Sequence, residues 1–155
     1  MRLLVDTTYL LPAIGISVKG IAADGMIGLR QQGHELYASD ISIFELSAKG
    51  AKYIAERRLH QERVTRGIRA IIYDGTITMI RIHESALLLT AFRLRKMLGD
   101  FIDCLILASA MNHCEVLITE DNDVRDLRNN GEFIALCAAT NPKFGIQTLT
   151  EIIRD

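Results

Sequence analysis

Leu3-Leu4-Val5-Asp6 opens the chain with a short, unbroken apolar run closed by a carboxylate. A run that is apolar at every position suits a central parallel strand buried on both faces, because a half-exposed strand would alternate. The unit returns late in the chain, where Val116-Leu117-Ile118 is followed by Thr119-Glu120-Asp121. Two such strand-then-acid units, separated by stretches of helical periodicity, predict an α/β protein: a three-layer α/β/α sandwich around a mainly parallel sheet. Ligands of such sheets bind beyond the carboxyl ends of the strands, so Asp6 and Asp121 are expected at one edge.

Outward from these runs, Pro12 and Gly15 break the chain, and Ala22, Met26, Ile27 and Leu29 recur at helical spacing until Gly33. Leu36-Tyr37-Ala38 reads as the second strand. A helical region starting at Ser39 or Ser42 carries Phe44, Ala48, Ala51, Ile54 and Ala55 as an apolar stripe and runs, with a break, to Ile72. Ile77, Met79 and Arg81 mark a β-prone piece. His83-Glu84 through Met97 is rich in helix formers, and Gly99 ends it. Asp100 is placed to cap a further helix with Ile102, Leu105, Ile106, Ser109 and Ala110 at helical spacing. After Gly131, Phe133 to Cys137 and Ile146 to Leu149 read as strands and Thr150 to Arg154 as a short helix. No repeat, linker or low-complexity stretch divides residues 1–155, which read as one domain.

With 155 residues and 49% hydrophobic content the chain is sized for a single core. A formal net charge of -1 gives no overall attraction to polyanions, so nucleic-acid binding would depend on local basic groups or on a bound cation. Cys104, Cys114 and Cys137 lack CxxC spacing, which argues against a zinc site or a disulfide framework and makes a reducing cytoplasm the default compartment. Asp6 interrupts the apolar N-terminus, which reads as a strand and not as an export signal. No apolar run reaches the roughly 20 residues that span a bilayer. No GxGxxG, GxxxxGK[ST] or HExxH pattern occurs, and His34, His60, His83 and His113 read as structural or surface residues.

Four acids carry the candidate chemistry: Asp6, Glu45, Asp103 and Asp121, each from a different part of the chain. Brought to one sheet edge they repel one another, and a divalent cation with a preference for hard oxygen ligands, Mg²⁺ or Mn²⁺, relieves the conflict. Each also has a structural reading. Ser42-Ile43-Phe44-Glu45 fits a capping box, Asp103 suits the first turn of a helix, and Asp121 fits a turn or a helix cap. Asp6 resists such a reading, since a carboxylate closing a buried strand is costly unless something binds it. Asp100, three residues before Asp103, either joins the metal shell or caps the helix. Arg63, Arg66 and Arg69 recur every third residue and are candidates for RNA phosphates, with a solvated face paired to Glu56 and Glu62 as the alternative. Arg93, Arg95 and Lys96 form a second basic group near Asp100 and Asp103.

Laid out together, these residues resemble a PIN domain, nearest to the small VapC-like ribonuclease toxins of toxin–antitoxin pairs. The likeness runs over roughly residues 2 to 127. Its points are the strand ending in Asp6-Thr7-Thr8, Ser39 to Glu45-Leu46, Asp103 heading a helix with Ala108-Ser109-Ala110, and Thr119-x-Asp121-x-Asp123. Val124 stands where the family commonly has an aromatic. The resemblance implies a metal-dependent endoribonuclease with Asp6, Glu45, Asp103 and Asp121 as metal-binding acids and Thr119 supporting Asp121 or a water. It further implies an RNA substrate, a homodimer and a small antitoxin. Two other readings stay open: a catalytically silent PIN-like domain that binds RNA or protein, and a phosphotransfer enzyme with Asp6 as nucleophile. The second lacks the DxD pattern of such enzymes, since position 8 is Thr.

Overall fold

The computed structural model describes residues 1–21 and 25–154. Five strands, β1 (Arg2–Val5), β2 (Glu35–Ser39), β3 (Ile77–Ile80), β4 (Val116–Ile118) and β5 (Gly145–Gln147), form one sheet in the order β3-β2-β1-β4-β5. Every neighbouring pair is parallel, with Leu4 opposite Tyr37 on one side and opposite Leu117 on the other. The chain lays β2 and β3 to one side of β1, then crosses to place β4 and β5 on the other. The order therefore reverses between β1 and β4, and the carboxyl end of that pair is the crevice where a parallel sheet accepts ligands.

Helices cover both faces. Leu3, Val5, Leu36, Ala38, Val116 and Ile118 point into a core shared with α1 (Thr7–Leu10), α2 (Gly25–Gln31), α3 (Ile41–Ala55), α4 (Gln61–Tyr73) and α9 (Leu149–Arg154). Leu4, Leu117 and Ile146 point the other way, against α5 (Ser85–Leu94), α6 (Phe101–His113) and α8 (Gly131–Thr140). This period-2 division explains the unbroken apolar runs: both faces of β1 are dry, and Leu3, Leu4 and Val5 are each 0% exposed. Burial of each such side chain contributes on the order of 2 kcal/mol. The three-layer sandwich with a parallel sheet is thus the fold.

The α6 helix is buried at every position from Cys104 to Met111, so its apolar residues go all round it. On the opposite face, α4 lies directly on the turn Leu11–Ile14, and a Cβ at Gly67 would stand 2.2 Å from the Ala13 carbonyl oxygen. Only glycine permits that approach.

Several boundaries differ from the sequence reading. Phe133 to Cys137 is not a strand but the middle of α8, because Asn130 caps it by accepting from the Glu132 and Phe133 N–H groups. Phe133 and Leu136 then meet the core at a spacing of three. The last strand is shorter than Ile146 to Leu149, since Leu149 already begins α9. The expected break in the long helical region falls between α3 and α4, and Ala22 lies outside the described residues. The three cysteines are free, Cys104 and Cys114 buried. Among the described residues no helix is long and apolar enough to cross a membrane.

Candidate metal centre at the sheet switch

Asp6 follows β1 directly, and its N–H donates to the Ile118 carbonyl at 3.0 Å, the last rung between β1 and β4. That rung fixes the carboxylate at the crevice. Oδ1 accepts from the Thr7 N–H at 2.7 Å, capping α1, and Oδ2 accepts from the Thr119 hydroxyl at 2.7 Å. The Thr119 hydroxyl in turn accepts from the Asp121 N–H at 3.1 Å, and Asp121 Oδ1 accepts from the Val124 N–H at 3.1 Å to cap α7 (Asn122–Asp126). On the other side the Thr7 hydroxyl donates to Glu45 Oε2. A continuous network therefore runs Glu45, Thr7, Asp6, Thr119, Asp121 across three segments that are distant in sequence.

Asp103 enters from the first turn of α6 and accepts no hydrogen bond among the described residues. Its carboxyl is pushed up to about 7, chiefly by burial, then by the negative charges of Asp100, Asp121, Asp6 and Glu45. Burial likewise raises Asp6, with Glu45 and Asp121 adding repulsion and the Thr119 and Thr7 hydrogen bonds opposing it. That each of the other acids contributes repulsion at Asp103 places the four within electrostatic reach of one another. The ion pairs among the described residues, Arg2–Glu115, Arg58–Glu56, His113–Glu84 and Arg128–Glu151, include none of the four acids. Among the described residues no basic side chain pairs with any of the four acids.

Hard oxygen donors without a cationic partner are the donor set that hard divalent cations prefer. As they stand, no three His, Cys, Asp or Glu groups among the described residues are close enough to hold a metal ion. The carboxylates are turned toward their protein donors: Asp6 to Thr7 and Thr119, Glu45 to Thr7, Asp121 to Val124. An ionised carboxylate has about four acceptor positions, so these bonds leave capacity for a cation once the side chains turn inward.

The capping-box reading of Glu45 is overturned. Asp40 occupies the N-cap position of α3, Ser42 lies buried in the first turn with its hydroxyl unpartnered, and Glu45 takes its hydrogen bond from Thr7. Asp100 caps α6 through the Ile102 N–H at 2.8 Å and is exposed, and its charge acts on Asp103 through space. Arg63 is committed to the Ala13 and Pro12 carbonyls, whereas Arg66 and Arg93 are exposed. Arg95 donates to the Leu98 carbonyl at 3.0 Å. Thr7, 2% exposed, is the bridging residue that sequence reasoning passed over. Its only signal was a hydroxyl directly after a strand-closing acid. Tyr9 is a second omission: its hydroxyl donates to Glu120 at 2.5 Å and accepts from the Leu149 N–H at 3.2 Å, pinning the Thr119–Asp121 segment to α9.

Cavities of 560 and 680 Å³ lie elsewhere, one between α2, α4 and β2, the other between α8 and β5, and none of the four acids lines either.

Comparison with known proteins agrees with this geometry. The chain aligns in fold with one chain of a structure described as the crystal structure of VapBC2 from Rickettsia felis bound to a DNA fragment from their promoter. The TM-score is 0.60 at 16% identity, covering 96% of this chain and 98% of that one. No curated protein matches. The model of the PIN domain matches residues 3–130, a span that holds all four acids and every strand but β5. By that match the chain belongs to the PIN domain family, whose members are generally nucleases and typically use divalent metal ions.

Proposed function

We propose that this protein is a metal-dependent endoribonuclease that hydrolyses RNA phosphodiester bonds with Mg²⁺ or Mn²⁺. We propose further that it is a VapC-like toxin, acting as a homodimer and restrained by a small antitoxin. One observation carries the nuclease reading: four carboxylates from four elements gather, without a basic partner, at the point where the strand order reverses. The likeness in fold to a chain of the VapBC2 complex supports the toxin reading.

In this reading Asp6 and Asp103 hold the central cation, and Glu45 and Asp121 flank it as ligands or as acceptors that orient the attacking water. Thr119 and Thr7 keep Asp6 at the crevice through its two oxygens. Asp103, its pKa raised to about 7 by burial and by its acidic neighbours, would have to be ionised to hold a cation, so metal affinity would rise with pH. The bound cation would supply an activated water and neutralise charge on the phosphoryl oxygens. Arg66 and Arg93, both exposed, are available to RNA phosphates, while Arg63 is held by backbone carbonyls.

The test is incubation with a mixed RNA pool in Mn²⁺, in EDTA, and with folded Asp6→Asn and Asp103→Asn variants. Cleavage by the wild type with metal alone is the expected result. A silent PIN-like binding domain is the second reading, favoured by the absence of a preformed three-ligand set among the described residues. It predicts RNA or protein binding without cleavage and without stabilisation by Mn²⁺.

A further inference from the structure

The α5 helix buries Leu87, Thr90, Ala91 and Leu94 and turns the opposite stripe to solvent. That stripe is Leu89, Phe92 and Arg93, at spacings of three and four, followed by Lys96 in the turn beyond the helix, with Leu89 62% and Phe92 57% exposed. At its end Phe101, 37% exposed, stacks on Phe92 with ring centroids 6.0 Å apart and planes 8° from parallel. Phe101 is the first residue of α6, one after the Asp100 cap and two before Asp103. An exposed phenylalanine pair loses the hydrophobic stabilisation that burial would give, so its placement asks for an occupant.

From this juxtaposition we infer that Phe92 and Phe101 form a stacking platform for an unpaired nucleobase of single-stranded RNA, at the start of the helix that carries Asp103. The inference rests on the nuclease reading and names how that site takes its substrate. The occupant follows from charge as well as shape. Neither Arg93 nor Lys96 has a side-chain partner among the described residues, so two exposed cations within four residues of Phe92 are available to the phosphates of a stacked strand. A π face tolerates any base, while cations along one rim fix the path of the backbone. Single-stranded RNA presents splayed bases that stack on aromatic side chains, whereas duplex RNA does not. An apolar protein partner would use Leu89 and the rings but would leave Arg93 and Lys96 without counter-charges.

The test measures binding of fluorescein-labelled single-stranded RNA by anisotropy with Mn²⁺ present, in an Asp6→Asn background that prevents cleavage. Phe92→Leu and Phe101→Leu keep apolar bulk and remove the π face, and melting curves verify folding. Each is expected to weaken binding about tenfold, as loss of one base–aromatic stack does. An RNA with a single abasic nucleotide at the optimal position should bind about tenfold more weakly to the parent and equally well to the double Phe variant. Unchanged affinity in both Phe variants, with metal-dependent cleavage intact in proteins that keep Asp6, overturns the platform and leaves the nuclease reading standing. Unchanged affinity with a dimer converted to monomer in sedimentation assigns the patch to contact between copies and also overturns it. Absence of RNA binding by the parent overturns the platform, and absence of cleavage by the wild type in the separate metal assay overturns the nuclease reading itself.

Discussion

The Thr119 hydroxyl donates to Asp6 Oδ2 at 2.7 Å, joining the residue that closes β4 to the residue that closes β1 across the point where the sheet order reverses. Thr119 is 1% exposed, so no water replaces the bond if it is lost. The carboxylate of Asp6 would be freed to rotate away from the crevice.

Thr119→Val is therefore expected to lower RNA cleavage by about 10- to 100-fold and to cost about 1–2 kcal/mol of stability, the range for an unsatisfied buried partner. Thr119→Ser, which restores the donor, should recover most of both. Denaturant melts beside cleavage rates check this, and a Val variant as active as Ser would remove Thr119 from the positioning role.

Divalent metal should stabilise the protein by mass action. At a Mn²⁺ concentration about 100 times Kd the gain is about 2.7 kcal/mol, visible as a higher Tm. Asp103→Asn and Asp6→Asn should each abolish most of the shift, whereas Glu115→Gln, at the far amino-terminal edge of β4, should leave it intact. A Tm that ignores Mn²⁺ in the wild type would count against the metal centre.

Without metal, the stability should fall as pH rises. Asp103 moves from an ordinary carboxyl value of 3.8 to about 7 in the folded protein, so between those values the folded state holds more protons than the unfolded one. The slope of stability with pH is then negative: this group's favourable contribution is complete below about 4 and lost as pH passes 7. Asp6, raised by burial, acts in the same direction. In EDTA at pH 7.5, Asp103→Asn should melt higher than wild type, and a lower Tm for the variant would refute the repulsion at Asp103.

Two glycines should respond oppositely to alanine. At Gly67 the new Cβ meets the Ala13 carbonyl oxygen at 2.2 Å, backbone against backbone, and the cost should reach about 3 kcal/mol. At Gly28, within α2, nothing beyond the helix's own backbone and the neighbouring residues lies within 4 Å of the added Cβ among the described residues, and alanine should stabilise by about 0.5–1 kcal/mol through the backbone alone. Urea midpoints of the two variants decide it.

Local pattern pointed to β1 and β4, because a strand with both faces covered must be apolar throughout and Leu3-Leu4-Val5 and Val116-Leu117-Ile118 are short, rich in β-formers and closed directly by a polar residue. It was not enough for Phe133 to Cys137, where a short apolar run fits strand and helix equally and the decision lay in the side chain of Asn130. The acids were visible one by one, yet the Glu45 capping reading was equally consistent with the local sequence until Thr7 was found beside it.

The sequence by itself determined the alternation of short apolar strands with helices, and so the parallel sheet and the carboxyl edge at which Asp6 and Asp121 had to lie. Only the tertiary structure decided which neighbours they met. Which side of β1 receives β4 is set by crossover connections and by packing on α6, contacts between residues more than a hundred positions apart. Spacing along the chain carries no information about such contacts, and the Thr119 bond to Asp6 is one of them; the Thr7 bond to Glu45 and the Phe92–Phe101 stack likewise join separate elements over shorter separations.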